Sequence, residues 1–176
     1  MVLVSGGTGF IGAHLLLRLV QQGKSVLALK RETSSLLYFE SLARFYKISE
    51  NALKNIHWLD CNLTNPYEVE KALVGIKQVY HCAGYVSFDQ KHWDALLENN
   101  RTVTANLVNA SLTNGIELFC YLSSVAALDM SKGIKGKKTD WKHFRKTQPY
   151  GYSKYLGELE VYRGKEEGLT IQILNP

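Results

Sequence analysis

The first twelve residues, MVLVSGGTGFIG, constrain this chain more than any other stretch. A short apolar run at 1–5 ends in a turn with glycines at positions 6, 9 and 12, a G-x-x-G-x-x-G spacing. From Ile11 to Gln22 the residues Leu15, Leu16, Leu19 and Val20 recur with helical spacing, so the turn joins a strand to a helix. A helix that starts there presents N–H groups without intrahelical partners and about half a positive charge. Such an end holds an anion, most often a phosphate. Gly6 permits the tight turn, Gly9 lets a pyrophosphate approach the backbone, and Gly12 lets the helix pack close to the strand.

The alternation continues along the chain. Apolar runs at 25–29, 55–60, 78–83, 117–124 and 169–174 read as further strands. Helices are expected around 36–46, from Pro66 to Gly75, around 93–114 and from about Pro149 to Gly168. Strands rich in Val, Ile and Leu that alternate with helices make an α/β protein: a doubly wound parallel sheet of about six strands, covered on both faces. Its ligands belong at the carboxyl ends of the strands. One nucleotide-binding domain over 1–176 is expected, without repeats or low-complexity linkers.

Composition excludes several classes. With 45% hydrophobic and 21% charged residues the chain is not of the disordered kind. No apolar run approaches the ~20 residues of a membrane-spanning helix. The amino terminus lacks the basic start and apolar core of a signal peptide. Cys61, Cys82 and Cys120 are odd in number and far apart, which suits reduced core residues of a cytoplasmic protein. Much of the +5 net charge is concentrated between Ser131 and Gln148, where seven Lys or Arg residues face only Asp140. That segment reads as a solvated loop or as a site for an anionic substrate. No motif or stacking platform for nucleic acid accompanies it, so no nucleic-acid partner is expected.

The second strand runs into ALKRETSS. A carboxylate at its end would bond a ribose 2′-hydroxyl and repel a 2′-phosphate. Lys30 and Arg31 stand there instead. A guanidinium pairs bidentately with phosphate and stacks on adenine, which favours NADP(H) over NAD(H).

Five motifs then fall in order: GGTGFIG (6–12), HCAG (81–84), NNRTVTANLVNAS (99–111), YLSSVAAL (121–128) and YGYSKYLGE (150–158). Along its whole length the chain resembles the extended short-chain dehydrogenase/reductase superfamily. It is most similar to the NAD-dependent epimerase/dehydratase and dihydroflavonol-4-reductase-like group. The resemblance implies a Rossmann-type cofactor site made by Gly6, Thr8, Gly9, Phe10, Ile11, Gly12, Arg31, Asn62, Leu63, Ala83 and Gly84, with Tyr150 and Lys154 shared with catalysis. Asn62 stands where the family has an aspartate on the adenine amino group, and an amide oxygen can still accept that bond. Val103 replaces the family's glycine in the fourth helix, which bears on packing. Members continue past the "NP" step into a seventh strand and a substrate domain, so the chain is expected to be the nucleotide-binding part alone. They often dimerise through two helices, here about 92–114 and 149–168, and a homodimer is expected.

The family pattern makes Ser124, Tyr150 and Lys154 the catalytic set, with Ser123 as rival for the serine. Tyr150 would protonate a carbonyl oxygen as hydride arrives, and Ser124 would hold that oxygen. A free phenol titrates near ~10, too high for an efficient base. An ammonium ~4 Å away favours the phenolate by about 4 kcal/mol at an effective dielectric of ~20. Lys154 would also bond the nicotinamide ribose, and Asn100 resembles a helix asparagine that supports the lysine through water. Tyr85, Ser87 and Phe88 either line a substrate pocket or simply pack. His81 and His92 lack metal-ligand partners at useful spacing, and no metal is expected.

The leading expectation is an NADP(H)-dependent reductase acting on a small-molecule ketone, aldehyde or alcohol. A nucleotide-sugar epimerase is the alternative, weakened by the absent carboxylate after the second strand. A non-catalytic NAD(P)-binding regulatory protein is the alternative of another class, weakened because both Tyr150 and Lys154 are present.

Overall fold

A computed structural model describes residues 1–128 and 148–176. Strands β1 (Val2–Ser5), β2 (Val26–Lys30), β3 (Ile56–Asp60), β4 (Gln78–His81), β5 (Leu118–Leu122) and β6 (Ile171–Leu174) form one sheet. Every pair is parallel, in the order β3-β2-β1-β4-β5-β6. The chain steps outward from β1 to β3 and then crosses to the other side at β4. The carboxyl ends of β1 and β4 therefore border the crevice where ligands of open α/β sheets bind.

Period-two alternation divides the core. Val2 and Val4 of β1 pack with Val26 and Ala28 against helices α1 (Phe10–Gln21) and α2 (Leu37–Phe45). Leu3 faces the other way, with Leu29, Val79, Phe119 and Tyr121, against α4 (Pro66–Ala72), α6 (Val103–Thr113) and α7 (Pro149–Glu166). Complete burial of residues such as Leu3 and Leu16 contributes about 1.5–3 kcal/mol each. Val103, which replaces a glycine of the family pattern, lies in this core at 3% exposure.

Local signals account for most helix ends. Pro66 opens α4 while the Asn65 side chain accepts from the Tyr67 N–H at 3.1 Å, and Gly75 turns the chain at φ +75°. A one-turn helix, α3 (Glu50–Leu53), was not expected. Ser49 caps it by accepting from the Ala52 N–H, and four residues are too few for periodicity to show.

The long helix expected over 93–114 is present but is not α-helical throughout. It consists of α5 (Trp93–Leu96), a π-helical stretch Leu97–Thr102, and α6. The Val103 N–H reaches back five residues to the Glu98 carbonyl. A π-turn holds one extra residue and shifts the faces before and after it. Among the described residues no helix is long and apolar enough to cross a membrane. The basic segment, apart from Gln148, lies outside the described residues.

Candidate functional site

At the crevice the glycine turn has the form that its sequence implies. Gly6 adopts φ +73°, and a Cβ there would stand 2.5 Å from the Ala83 backbone nitrogen on the loop after β4. Gly12 is equally constrained, though not by the strand as expected. A Cβ on it would lie 2.1 Å from the Gly6 carbonyl oxygen, so the helix is packed onto the turn itself. Helix α1 has no side-chain cap and no acidic residue in its first turn, which leaves its positive end uncompensated.

In front of the turn lies a cleft of about 250 Å³. Of the expected cofactor residues, Gly6, Thr8, Gly9, Arg31, Asn62, Leu63, Ala83 and Gly84 line it. Phe10 and Ile11 do not; they are 69% and 42% exposed in the first turn of α1. Gly12 stays behind the turn.

At the β2 end, Lys30 and Arg31 take different roles. The Lys30 ammonium pairs with Asp60 across β2 and β3. Arg31 reaches over the cleft, where its Nη2 donates to the Asn99 side-chain oxygen at 2.8 Å. Asn62 lines the cleft and also makes local bonds. Its amide oxygen accepts from both the N–H and the hydroxyl of Thr64, at 3.1 and 2.9 Å, closing a tight Asx turn. Both lone pairs are used locally, so an adenine amino group must displace one of these donors.

At the β5 end the polar groups are buried and interlocked. The Ser5 hydroxyl lies 2.7 Å from His81 Nδ1 and its oxygen accepts from the Ala83 N–H. His81 Nε2 lies 3.0 Å from the Thr104 hydroxyl, which itself donates to the Asn100 carbonyl at 2.7 Å. Only a neutral ring protonated at Nε2 satisfies this chain of donors. Burial, reinforced by the Lys154 charge, pulls the His81 value down to about 3. His81 is thus a satisfied core histidine that stitches β1 and β4 to the π-stretch. His92 pairs with the Ser87 hydroxyl at 2.8 Å, and no cluster suited to a metal exists among the described residues.

Asn100 is buried in the same network. Its amide oxygen accepts from the Tyr85 N–H, and its amide nitrogen donates to the Tyr85 carbonyl and to Ser153, each at 2.8 Å. Asn100 thereby fastens the loop after β4 to α7.

Ser124, Tyr150 and Lys154 gather at the carboxyl end of β5. Ser124 begins a 3₁₀ turn, Val125–Ala127, and accepts from the Ala126 N–H at 3.2 Å. The first turn of α7 crosses this turn closely: a Cβ on Gly151 would stand 2.1 Å from the Ala126 carbonyl oxygen. Tyr150 is half-buried, with Phe88 edge-on to its ring at 5.8 Å. Lys154 is 3% exposed, and its ammonium donates to the Leu122 carbonyl at 2.7 Å and sits 4.3 Å from the centre of the Tyr121 ring. A Cβ on Gly84 would lie 3.7 Å from that ammonium, so the lysine adjoins the end of the cleft.

Burial pulls the Lys154 value down to about 8, while the buried Glu158 carboxylate opposes the shift. Glu158 accepts from the Ser123 hydroxyl and from the Asn175 amide at 2.7 Å. Asn175 also donates to the Ser124 carbonyl at 3.0 Å. Ser123 is 4% exposed and committed to Glu158, whereas the Ser124 side chain is only partly buried. The Tyr121 hydroxyl is buried, and burial raises its titration range against the opposing effect of the nearby Thr104 hydroxyl. Cys61 and Cys82 line the cleft as free thiols pushed by burial up to about 11 and about 12, which makes both inert as nucleophiles at neutral pH.

The sequence reading missed Asn99 and the Glu158–Ser123–Asn175 link. Both are single hydrogen-bonding residues whose partners are remote in the chain, so no spacing announces them.

A doubly wound parallel sheet with a glycine turn at its switch point and a buried lysine at its far end defines a dinucleotide-binding class of protein. More particularly, the chain belongs to the NAD dependent epimerase/dehydratase family, which it matches over residues 2–176. It is 32% identical over 179 aligned positions to a Synechocystis protein provisionally named a dihydroflavonol 4-reductase, an alignment spanning 98% of this chain and 47% of that one. It is 27% identical to tetraketide alpha-pyrone reductase 2 of Arabidopsis thaliana, over 99% of this chain and 57% of the relative. Among solved structures, the fold resembles UDP-glucuronic acid 4-epimerase from Bacillus cereus with NAD, at TM-score 0.77 and 22% identity, over 99% of this chain and 55% of that one. It also resembles the terminal R domain of the myxalamid biosynthetic pathway, at TM-score 0.83 and 21% identity, over 99% and 48%. The chain therefore spans about half the length of the curated relatives it matches.

Proposed function

We propose that this chain is the nucleotide-binding half of an NADP(H)-dependent reductase or dehydrogenase for a small-molecule carbonyl or alcohol. One observation carries the reading: a lysine is kept 3% exposed beside Gly84, one helical turn after Tyr150. Burying an ammonium is costly even when a carbonyl accepts from it, and groups perturbed in this way cluster at functional sites. The residues fit the cofactor. The bare α1 terminus and the glycine turn accept a pyrophosphate, and Arg31 supplies a bidentate cation for a 2′-phosphate. NADP(H) supplies or accepts the hydride.

The chain's own residues manage the proton and the oxygen. The Tyr150 hydroxyl donates its proton to the carbonyl oxygen during reduction and recovers it in the reverse direction. Ser124 donates a hydrogen bond to the same oxygen and shares its developing charge. The Lys154 ammonium, aimed by the Leu122 carbonyl, keeps positive potential beside the proton donor. Ser124 is preferred to Ser123 because the Ser123 hydroxyl is already spent on Glu158.

A homodimer through α6 and α7 and a cytoplasmic setting belong to the same proposal. Support for the dimer is the outward face of α7, where Leu159 and Tyr162 are 43% and 50% exposed. The epimerase reading remains the second one, favoured only by the NAD-bound fold neighbours.

Calorimetric titration with NADP(H) and with NAD(H), on the chain and on Arg31→Ala, tests the proposal. A preference for NADP(H) that disappears in the variant is the expected result. A preference for NAD(H) unaffected by the variant overturns the cofactor assignment and moves the epimerase reading ahead.

A further inference from the structure

We infer that Asn99 is a specificity-determining residue for the cofactor, acting by holding the Arg31 guanidinium over the cleft; this rests on the NADP(H) reading above. The geometry is a relay between two elements. The Asn99 amide nitrogen donates to the Ala95 carbonyl at 2.9 Å, one turn earlier on the same helix. That bond sets the orientation of the amide, so its oxygen must face Arg31, which donates to it at 2.8 Å. Arg31 is exposed, and from β2 this contact spans 68 positions in sequence. A free arginine samples many rotamers, and a phosphate that binds it must order the side chain first. Asn99 does part of this ordering beforehand and leaves the remaining guanidinium N–H groups for the ligand.

The surroundings agree with a dedicated role. Arg31, Ser34 and Asn99 all line the cleft, and the Ser34 hydroxyl accepts from the Arg31 N–H at 3.2 Å. Lys30 is withdrawn by Asp60, which leaves Arg31 as the cation presented at this end among the described lining residues. Asn99 also lies in the π-stretch, next to Asn100. The two neighbouring asparagines serve opposite ends of the cleft: Asn99 holds Arg31, and Asn100 holds the Tyr85 loop and Ser153. Asparagine suits the task because it is neutral. A carboxylate at the same place would hold Arg31 more firmly but would cancel its charge and repel a phosphate.

The test uses 2′,5′-ADP and 5′-AMP as probes, which differ by the 2′-phosphate, together with NADP(H) and NAD(H). Dissociation constants are measured by calorimetry at one fixed ionic strength for the chain, Asn99→Ala, Asn99→Asp, Arg31→Ala and the double variant Arg31→Ala/Asn99→Ala. For Asn99→Ala, 2′,5′-ADP and NADP(H) should weaken about two- to fivefold, as for an exposed charge-assisted contact, with 5′-AMP and NAD(H) unchanged. Asn99→Asp should weaken the 2′-phosphorylated ligands about tenfold or more. In the Arg31→Ala background Asn99→Ala should have no further effect. Circular dichroism on each variant separates loss of fold from loss of contact. Unchanged or tighter 2′,5′-ADP binding in Asn99→Ala overturns the inference, as does equal weakening of both probes. No preference for 2′-phosphorylated ligands in the unsubstituted chain overturns the cofactor reading on which it stands. A normal preference that is indifferent to Asn99 overturns the inference alone.

Discussion

At the β2 end of the cleft Arg31 and Asn62 are exposed and Ser34 and Asn99 only half-buried, whereas at the β5 end His81, Asn100, Ser123, Lys154 and Glu158 are all buried. The exposed groups make isolated contacts that water and salt can replace, each worth little to the fold. The buried groups share partners: Ser123, Asn175 and Lys154 all depend on Glu158, and Thr104 serves both His81 and Asn100. The difference separates two tasks. Choosing between ligands needs only small free-energy differences at an adjustable surface. Holding proton-transfer groups in place requires a rigid setting with low dielectric, where a single missing partner is costly.

The harshest test of this contrast removes the turn that both ends share. Gly12→Ala places a methyl 2.1 Å from the Gly6 carbonyl, so the turn must shift. Unfolding in urea should show a loss of about 3 kcal/mol, with dinucleotide binding abolished. A near-neutral result would mean that the turn is softer than its packing suggests.

The next test concerns charge at the buried end. Lys154 folds with its value lowered from 10.5 to about 8, so the unfolded chain binds more protons between those limits. Stability on this account rises with pH across that window, and the cost of the ammonium is fully present below about 8. Lys154→Met should flatten that part of the profile while losing the function proposed for it. Glu158→Gln should move the Lys154 titration, followed by NMR of labelled lysine, further below 8. His81 obeys the same sign: lowered from 6.5 to about 3, it costs stability as pH falls through that range. A profile without slope between pH 3 and 6.5 would show that the ring is not held neutral.

Ser123 and Ser124 sharpen the comparison further, since they are adjacent yet belong to different tasks. Ser123→Ala removes a partner of a buried carboxylate and should cost about 1–3 kcal/mol in thermal or urea unfolding. Ser124→Ala should cost less than about 1 kcal/mol, because its hydroxyl only caps a short turn. Equal losses would place both serines in the structural network and weaken the role proposed for Ser124.

The smallest effect is expected at the exposed end. Affinity for 2′,5′-ADP should fall as salt rises from about 0.05 to 0.2 M, and Arg31→Ala should lessen that slope without touching stability. A salt-independent affinity would mean that Arg31 is not the phosphate contact.

Much of the architecture was legible in the residues. Strand and helix alternation, the six parallel strands and the glycine turn were all read correctly, because each rests on spacing within a dozen residues. Most of the residues assigned to the cofactor do line one cleft. What the residues left open was tertiary. No spacing showed that the Asn62 oxygen accepts from Thr64. Nor did any show that Asn100 ties the Tyr85 loop to Ser153.

By itself, the sequence determined where backbone donors lie bare at the start of α1, since glycines at 6, 9 and 12 and the lack of a capping side chain are local properties. It also determined that Tyr150 and Lys154 share a helix one turn apart. Which of two adjacent serines is free was decided only by tertiary structure. Neighbouring residues at a strand end project to opposite sides, and Glu158 and Asn175 become their neighbours only when α7 and β6 pack against β5. The pairing of Arg31 with Asn99 was decided in the same way, because a bond across 68 residues exists only after the sheet has brought β2 to the π-stretch.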